Sequence, residues 1–205
     1  MPVLDAPLLT EWREGVLLIQ LAGPGHLPRL SRVVVMALHE QLVQARTQPG
    51  LRGIVLSGTD RAFAVGADLA EVGRLSPREA LQYAARGQAL MQTIERSPCT
   101  VVAAVRGWCL GGGCDLALAC HLRVAAFDAR FGHPGAALGL MTGWGGTARL
   151  PRIVGRARAA ELFATGRTLS AAEAHSWGLV VRLTAPEHLL PLACQLARAR
   201  SSGPG

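Results

Sequence analysis

The stretch Val101–Cys120, VVAAVRGWCLGGGCDLALAC, constrains this chain more than any other. An apolar, β-branched run, Thr100–Val105, stops at Arg106-Gly107. Three glycines follow at Gly111, Gly112 and Gly113, and Asp115 then opens an apolar run of small residues. The pattern predicts a strand, a glycine turn and a buried helix, in that order. Such a unit aims unpaired backbone N–H groups at one point, which suits an anion or an oxygen that becomes negative during a reaction. Glycine serves there because a Cβ would block the close approach of a ligand and exclude some backbone angles.

The 205 residues suit one domain with a sizeable core. Half are hydrophobic and only 17% charged, which excludes a disordered chain. Aromatics are scarce, so the core is built from Ala, Leu and Val. The formal net charge is +7, and all 21 basic residues are arginine, a residue suited to bidentate phosphate or carboxylate recognition. Nucleic acid is not the expected partner, because the arginines are scattered and no aromatic stacking pattern accompanies them. The five cysteines (99, 109, 114, 120 and 194) are odd in number and lack C-x-x-C spacing. Small buried thiols in a reducing cytosol are therefore expected, with neither disulfide nor metal. The N-terminal residues lack the pattern of a signal peptide, and no apolar run reaches membrane-spanning length. A cytoplasmic protein without membrane contact is expected.

Elsewhere strands and helices alternate, which predicts an α/β fold with parallel pairing. Val16–Leu21 is a strand closed by Gly23-Pro24-Gly25, and Gly53–Ser57 is another. Ser31 caps a helix reaching about Ala45, with Val34, Leu38, Leu42 and Ala45 on one face. Gly58–Leu69, GTDRAFAVGADL, is a loop turning into a helix near Asp68, and Ser76-Pro77 begins a longer helix. Leu122–Ala126 is a strand, 131–140 is turn-rich, and 143–155 is rich in glycine. Arg156–Thr165 is helical by composition. Ser170 to Glu173 is a capping box opening a short helix closed by Gly178. Leu179–Leu183 is a strand, and Pro186–Arg200 is a last helix before the tail SSGPG.

Two separated glycine turns, AFAVGADL and RGWCLGGGCDLALAC, stand in order with FGHPGAALGL, GWGGTARL and ATGRTLSAAEAHSWGLV. This series, over roughly residues 12 to 190, resembles the crotonase family, the enoyl-CoA hydratases and isomerases. The resemblance implies a crotonase-like spiral of β-β-α turns in residues 1–185. It also implies a partial C-terminal helical, trimer-forming region in 186–205, shorter than the family's usual set of helices. It implies an acyl-CoA thioester substrate, with coenzyme A entering as part of it and no permanently bound cofactor. The assembly it implies is a homo-oligomer, a trimer or a dimer of trimers.

The family's shared device is a pair of backbone N–H groups that hold the thioester oxygen as an enolate forms. Carried over, these are the N–H groups of Ala67, in Gly66-Ala67-Asp68, and of Gly112. Hydratases of the family also use two glutamates to activate a water. At the first position this chain has Asp115, whose reach is shorter by about 1.5 Å. At the second, after Pro134, it has Gly135, which transfers no proton. His133, Thr142, Glu71 or a bound water are the nearby substitutes. Hydration of a 2-enoyl-CoA is the leading expectation. Double-bond isomerisation through one carboxylate and non-catalytic acyl-CoA binding are the alternatives. For coenzyme A, the main chain of Ala64, Val65 and Ala67 is expected at the adenine end and Arg61 at the phosphates. Trp108 and Trp144 are candidates for the wall of the acyl pocket. The family's N-terminal signature is poorly copied by Pro28-Arg29-Leu30 and the residues before it. A P-loop or Rossmann site is poorly supported, for the glycines lack the Lys-Ser/Thr of the one and the spacing of the other.

Overall fold

The computed structural model describes residues 7–199 apart from Pro24 and His26. The Pro24 breaker, Arg200 and the tail SSGPG lie outside the described residues. Strands β1 (Leu8–Arg13) and β2 (Val16–Leu21) form an antiparallel hairpin. Its two-residue turn, Glu14-Gly15, has φ of 50° and 82°, the left-handed pair that matches the twist of hairpin strands. β1 has no counterpart in the sequence reading because its side chains are almost all exposed, leaving no apolar alternation to detect.

Helix α1 (Arg32–Ala45) follows, capped by Ser31, whose hydroxyl accepts from the Val34 N–H at 3.3 Å. Val34, Leu38, Leu42 and Ala45 are buried as the spacing requires, together with Val35. Then come β3 (Gly53–Ser57), β4 (Ala62–Ala64), the four-residue α2 (Leu69–Val72) and α3 (Pro77–Glu95). Ser76 and Glu79 close a capping box at the start of α3. β5 (Thr100–Val105), β6 (Trp108–Leu110) and α4 (Gly112–Ala119) make up the central stretch. β7 (Leu122–Ala126), β8 (Arg130–Gly132), a 3-10 turn at Pro134–Leu138, α5 (Gly146–Val154) and α6 (Arg156–Thr165) follow it. The chain continues through β9 (Thr168–Ser170), α7 (Ala171–Ser176), β10 (Arg182–Thr184) and α8 (Leu189–Arg198).

After the β1–β2 hairpin, which belongs wholly to the larger sheet, each turn of the chain gives one strand to each of two sheets. The larger has the order β1-β2-β3-β5-β7-β10, and every pairing but the first is parallel. The smaller has the order β4-β6-β8-β9. This is the expected spiral of β-β-α turns. The short strands β4, β6 and β8 lie hidden in segments read as loops, because three residues are too few to show a period. Two apolar layers cover the larger sheet. Leu17, Ile19, Ile54 and Leu56 face α1, α3 and α4, while Val16, Leu18, Val55 and Val102 face α8. Strands covered on both faces read as unbroken apolar runs, which explains why β2, β3 and β5 were legible.

The strand expected at Leu179–Leu183 is shorter and later. The N–H groups of Leu179 and Val180 both bond the Ala174 carbonyl, at 2.8 and 3.2 Å, closing α7, so the ladder begins only at Arg182. Arg123, buried at 7% exposure, ties this region to α4. It donates to the carbonyls of Ala117, Cys120 and Leu179. No helix among the described residues is long and apolar enough to cross a membrane.

Candidate active site

A cavity of about 630 Å³ opens between the two glycine turns, α3 and the segment 133–144. β4 and β6 pair in parallel, Ala62 against Trp108 and Ala64 against Cys109, so the chain leaves both strands side by side. Gly66 (φ 96°) and Gly111 (φ 52°) then turn in backbone regions that L side chains avoid. A Cβ on Gly66 would lie 3.1 Å from the Leu110 carbonyl oxygen and 3.4 Å from the Gly112 nitrogen, so the two turns touch. Asp68 caps α2 by accepting from the N–H groups of Ala70 and Glu71, at 3.0 and 3.3 Å. Among the described residues the N–H groups of Ala67 and Gly112 have no protein acceptor, and both residues line the cavity. Gly112 is the first residue of α4, where the helix dipole adds partial positive charge.

Asp115 lies one turn further along α4 and is completely buried. Its two carboxylate oxygens are occupied. Oδ1 is 2.8 Å from His133 Nε2, and Oδ2 accepts from the Thr142 hydroxyl. His133 and Thr142 line the cavity; Asp115 stands behind them. Burial at 5% exposure disfavours charge on His133, but Cys114 and Asp115 outweigh that and hold the imidazole above its ordinary value. Gly146, the first residue of α5, makes room for the cluster, since a Cβ there would fall 2.1 Å from Asp115 Oδ1.

The other expected residues separate clearly. Gly135 lines the cavity, and its carbonyl accepts from the Leu140 N–H at 2.8 Å. A Cβ at 135 would lie 2.9 Å from the Leu140 carbonyl oxygen, so the main chain of Leu140 closes off the side-chain position. Glu71, offered as a substitute for the missing glutamate, does not line the cavity. Its carboxylate accepts from the Arg32 backbone N–H at 3.0 Å and pairs with the Arg32 guanidinium. Val65 and Ala67 line the cavity. Ala64 does not, being fully buried with its carbonyl against Gly113. Arg61 points elsewhere and donates to the Gly25 carbonyl at 3.3 Å. The arginine at the cavity is Arg29. It is brought there because Val65 N–H bonds the Pro28 carbonyl at 2.9 Å and Leu30 N–H bonds the Gly66 carbonyl at 2.8 Å. The sequence gives no local sign of that pairing.

Of the two tryptophans flanking the glycine segments, only Trp144 joins the cavity wall. Trp108 is 44% exposed on β6. Trp144 covers the places where Gly87 and Gly112 lack a Cβ, and its ring lies 5.3 Å from that of Tyr83. The Tyr83 hydroxyl donates to the Leu30 carbonyl at 2.7 Å, and burial pushes its ionisation well up. Among the described residues no group of His, Cys, Asp and Glu is disposed to hold a metal ion.

Residues 11–203 match the family model for enoyl-CoA hydratase/isomerase. The crotonyl-CoA hydratase of Syntrophomonas wolfei is 36% identical over 191 residues, covering 93% of this chain and 74% of that protein. A probable enoyl-CoA hydratase of Bacillus subtilis is 45% identical over 152 residues, which are 74% of this chain and 59% of that protein. Among solved structures, an enoyl-CoA hydratase from Bacillus anthracis superposes with a TM-score of 0.89 at 34% identity. That match covers 94% of this chain and 75% of the other. An enoyl-CoA hydratase of Geobacillus kaustophilus gives 0.87 at 38% identity, with 94% and 74% covered.

Proposed function

Because this chain belongs to the enoyl-CoA hydratase/isomerase family, we propose that it adds water to a 2-enoyl-CoA thioester. The observation that carries this reading is the meeting of the two glycine turns at the cavity, with the N–H groups of Ala67 and Gly112 unpartnered. In this reading both N–H groups donate to the thioester oxygen and stabilise the enolate that forms as water attacks. Each such donor contributes about 3–4 kcal/mol to the transition state. The apolar wall of Trp144, Tyr83, Phe163 and Leu140 receives the acyl group. Main-chain groups of Val65 and Ala67 and the guanidinium of Arg29 meet coenzyme A, which enters as part of the substrate. Proton transfer falls to the cluster of Asp115, His133 and Thr142.

A second reaction, isomerisation of a 3-enoyl-CoA, is favoured by Gly135, which leaves the cavity with one acid–base cluster instead of two carboxylates. The exposed side chains of Leu138, Leu140 and Met141 at the cavity mouth support an assembly, a trimer or a dimer of trimers, that covers them. The five free cysteines support a reducing, cytoplasmic setting.

Crotonyl-CoA and a 3-enoyl-CoA, each followed by the absorbance of the conjugated enoyl group, test the reading. Loss of the crotonyl signal establishes hydration. A gain of signal from the 3-enoyl ester alone makes the protein an isomerase. Silence with both esters refutes the reading.

A further inference from the structure

Resting on that reading, we infer that His133 is the group that exchanges protons with the substrate, and that Asp115 is a positioning residue behind it. Asp115 has no exposed surface and no place in the cavity wall, and both its oxygens are committed to His133 and Thr142. A carboxylate only accepts hydrogen bonds, so the 2.8 Å contact has Nε2–H donating to Oδ1. That fixes the tautomer and leaves a lone pair on Nδ1. Among the described residues Nδ1 has no protein partner, and no enclosed side-chain nitrogen or oxygen is left unpaired. Nδ1 is therefore open to the cavity that His133 lines. The Thr142 hydroxyl and the close approach of Gly146 lock the carboxylate in place. The result is a buried acid, an oriented imidazole and a pair of N–H donors around one cavity.

One imidazole suffices for the whole addition. Nδ1 takes a proton from water as the oxygen bonds to the β-carbon. The π electrons of the C=C bond pass into the thioester, whose oxygen becomes the enolate oxygen. The protonated Nδ1 then returns its proton to the α-carbon, and the C=O bond reforms. One water is added and the imidazole ends as it began. In isomerisation the same nitrogen removes an α-proton and returns it at the γ-carbon. The side chain absent at Gly135 is needed in neither sequence.

The titratable groups acting on His133 are Asp115 and Cys114 of α4; α6 presents the Phe163 ring at 5.1 Å, and Thr142 is the polar neighbour ahead of α5. The base must be neutral, so activity falls as pH drops through the raised imidazole value. Removing the Asp115 charge lowers that value and moves the acid limb to lower pH.

The test compares wild type, His133→Gln and Asp115→Asn as full chains, with kcat, KM and pH profiles on crotonyl-CoA and binding of the ester by calorimetry. His133→Gln is expected to lose at least about 100-fold in kcat with KM and ester affinity little changed. Asp115→Asn is expected to keep measurable turnover with its acid limb displaced downward. Near-normal turnover in His133→Gln, with none in Asp115→Asn, would overturn the assignment and put Asp115 in contact with substrate. Should His133→Gln fail to fold, an acid limb that stays at the wild-type pH in Asp115→Asn overturns it equally. A wild type that binds the ester but turns over neither substrate refutes the functional reading itself, and the assignment with it.

Discussion

Replacing Gly146 with alanine tests how tightly the buried acid is held. The new methyl would start 2.1 Å from Asp115 Oδ1 and 2.9 Å from His133 Nε2, at the first residue of α5. Reaching even 3.0 Å requires the carboxylate to retreat by about 0.9 Å. Directed away from His133, such a shift stretches the 2.8 Å bond to about 3.7 Å, beyond hydrogen-bonding length. Breaking a hydrogen bond to a buried charge costs about 1.5–3 kcal/mol. Crowding a packed interior adds about 1–3 kcal/mol. With a total of about 2.5–6 kcal/mol, a chain of this size should melt about 5–24 °C lower. Hydration of crotonyl-CoA should fall at least about 100-fold, since the imidazole loses its fixed tautomer. Circular-dichroism melting and the absorbance assay read both effects. A variant that melts within about 2 °C of wild type and turns over at the wild-type rate would refute the geometry.

Two other substitutions or reagents probe the scaffold. Arg123→Met leaves the carbonyls of Ala117, Cys120 and Leu179 without their donor and should destabilise the protein by about 3–5 kcal/mol in urea unfolding; a loss under about 1 kcal/mol contradicts this. Burial pushes the Cys120 thiol up to about 12 and raises Cys109 as well. A thiol reagent at pH 8 should therefore label the half-buried Cys99 first, and Cys109 and Cys120 only on unfolding. Rapid labelling of Cys120 in the native protein would contradict its burial.

What the sequence made legible follows from how much local chemistry each part contains. Ser31, Ser76 and Ser170 each carry the capping information within four residues, and all three helices begin there. β2, β3 and β5 are continuous apolar runs because both faces are covered. The Asp115–His133 contact joins residues 18 apart and Thr142 joins from 27 away. Their conjunction depends on β6 and β8 lying in register, Cys109 beside Phe131 and Leu110 beside Gly132, which three-residue strands do not announce. Arg29 is likewise placed by pairing with residues 65–66, whereas Arg61, nearer the glycine motif in sequence, bonds a loop carbonyl instead. Residue types at the site were readable; which of them meet was decided by the sheet.

The packing of Trp144 over Gly87 and Gly112 also gives the protein a built-in optical reporter. Of the four tryptophans, Trp12 and Trp108 are 48% and 44% exposed, and Trp177 is flanked by the guanidinium groups of Arg158 and Arg167. Trp144 alone is buried, at 4%, and it is also the one that lines the cavity. The most blue-shifted part of the emission therefore comes from the indole that packs over Gly112, with the half-buried Trp177 between it and the exposed pair. Anything that fills the cavity changes that component and leaves the red-edge emission of the surface indoles as an internal reference, so occupancy can be titrated without a label.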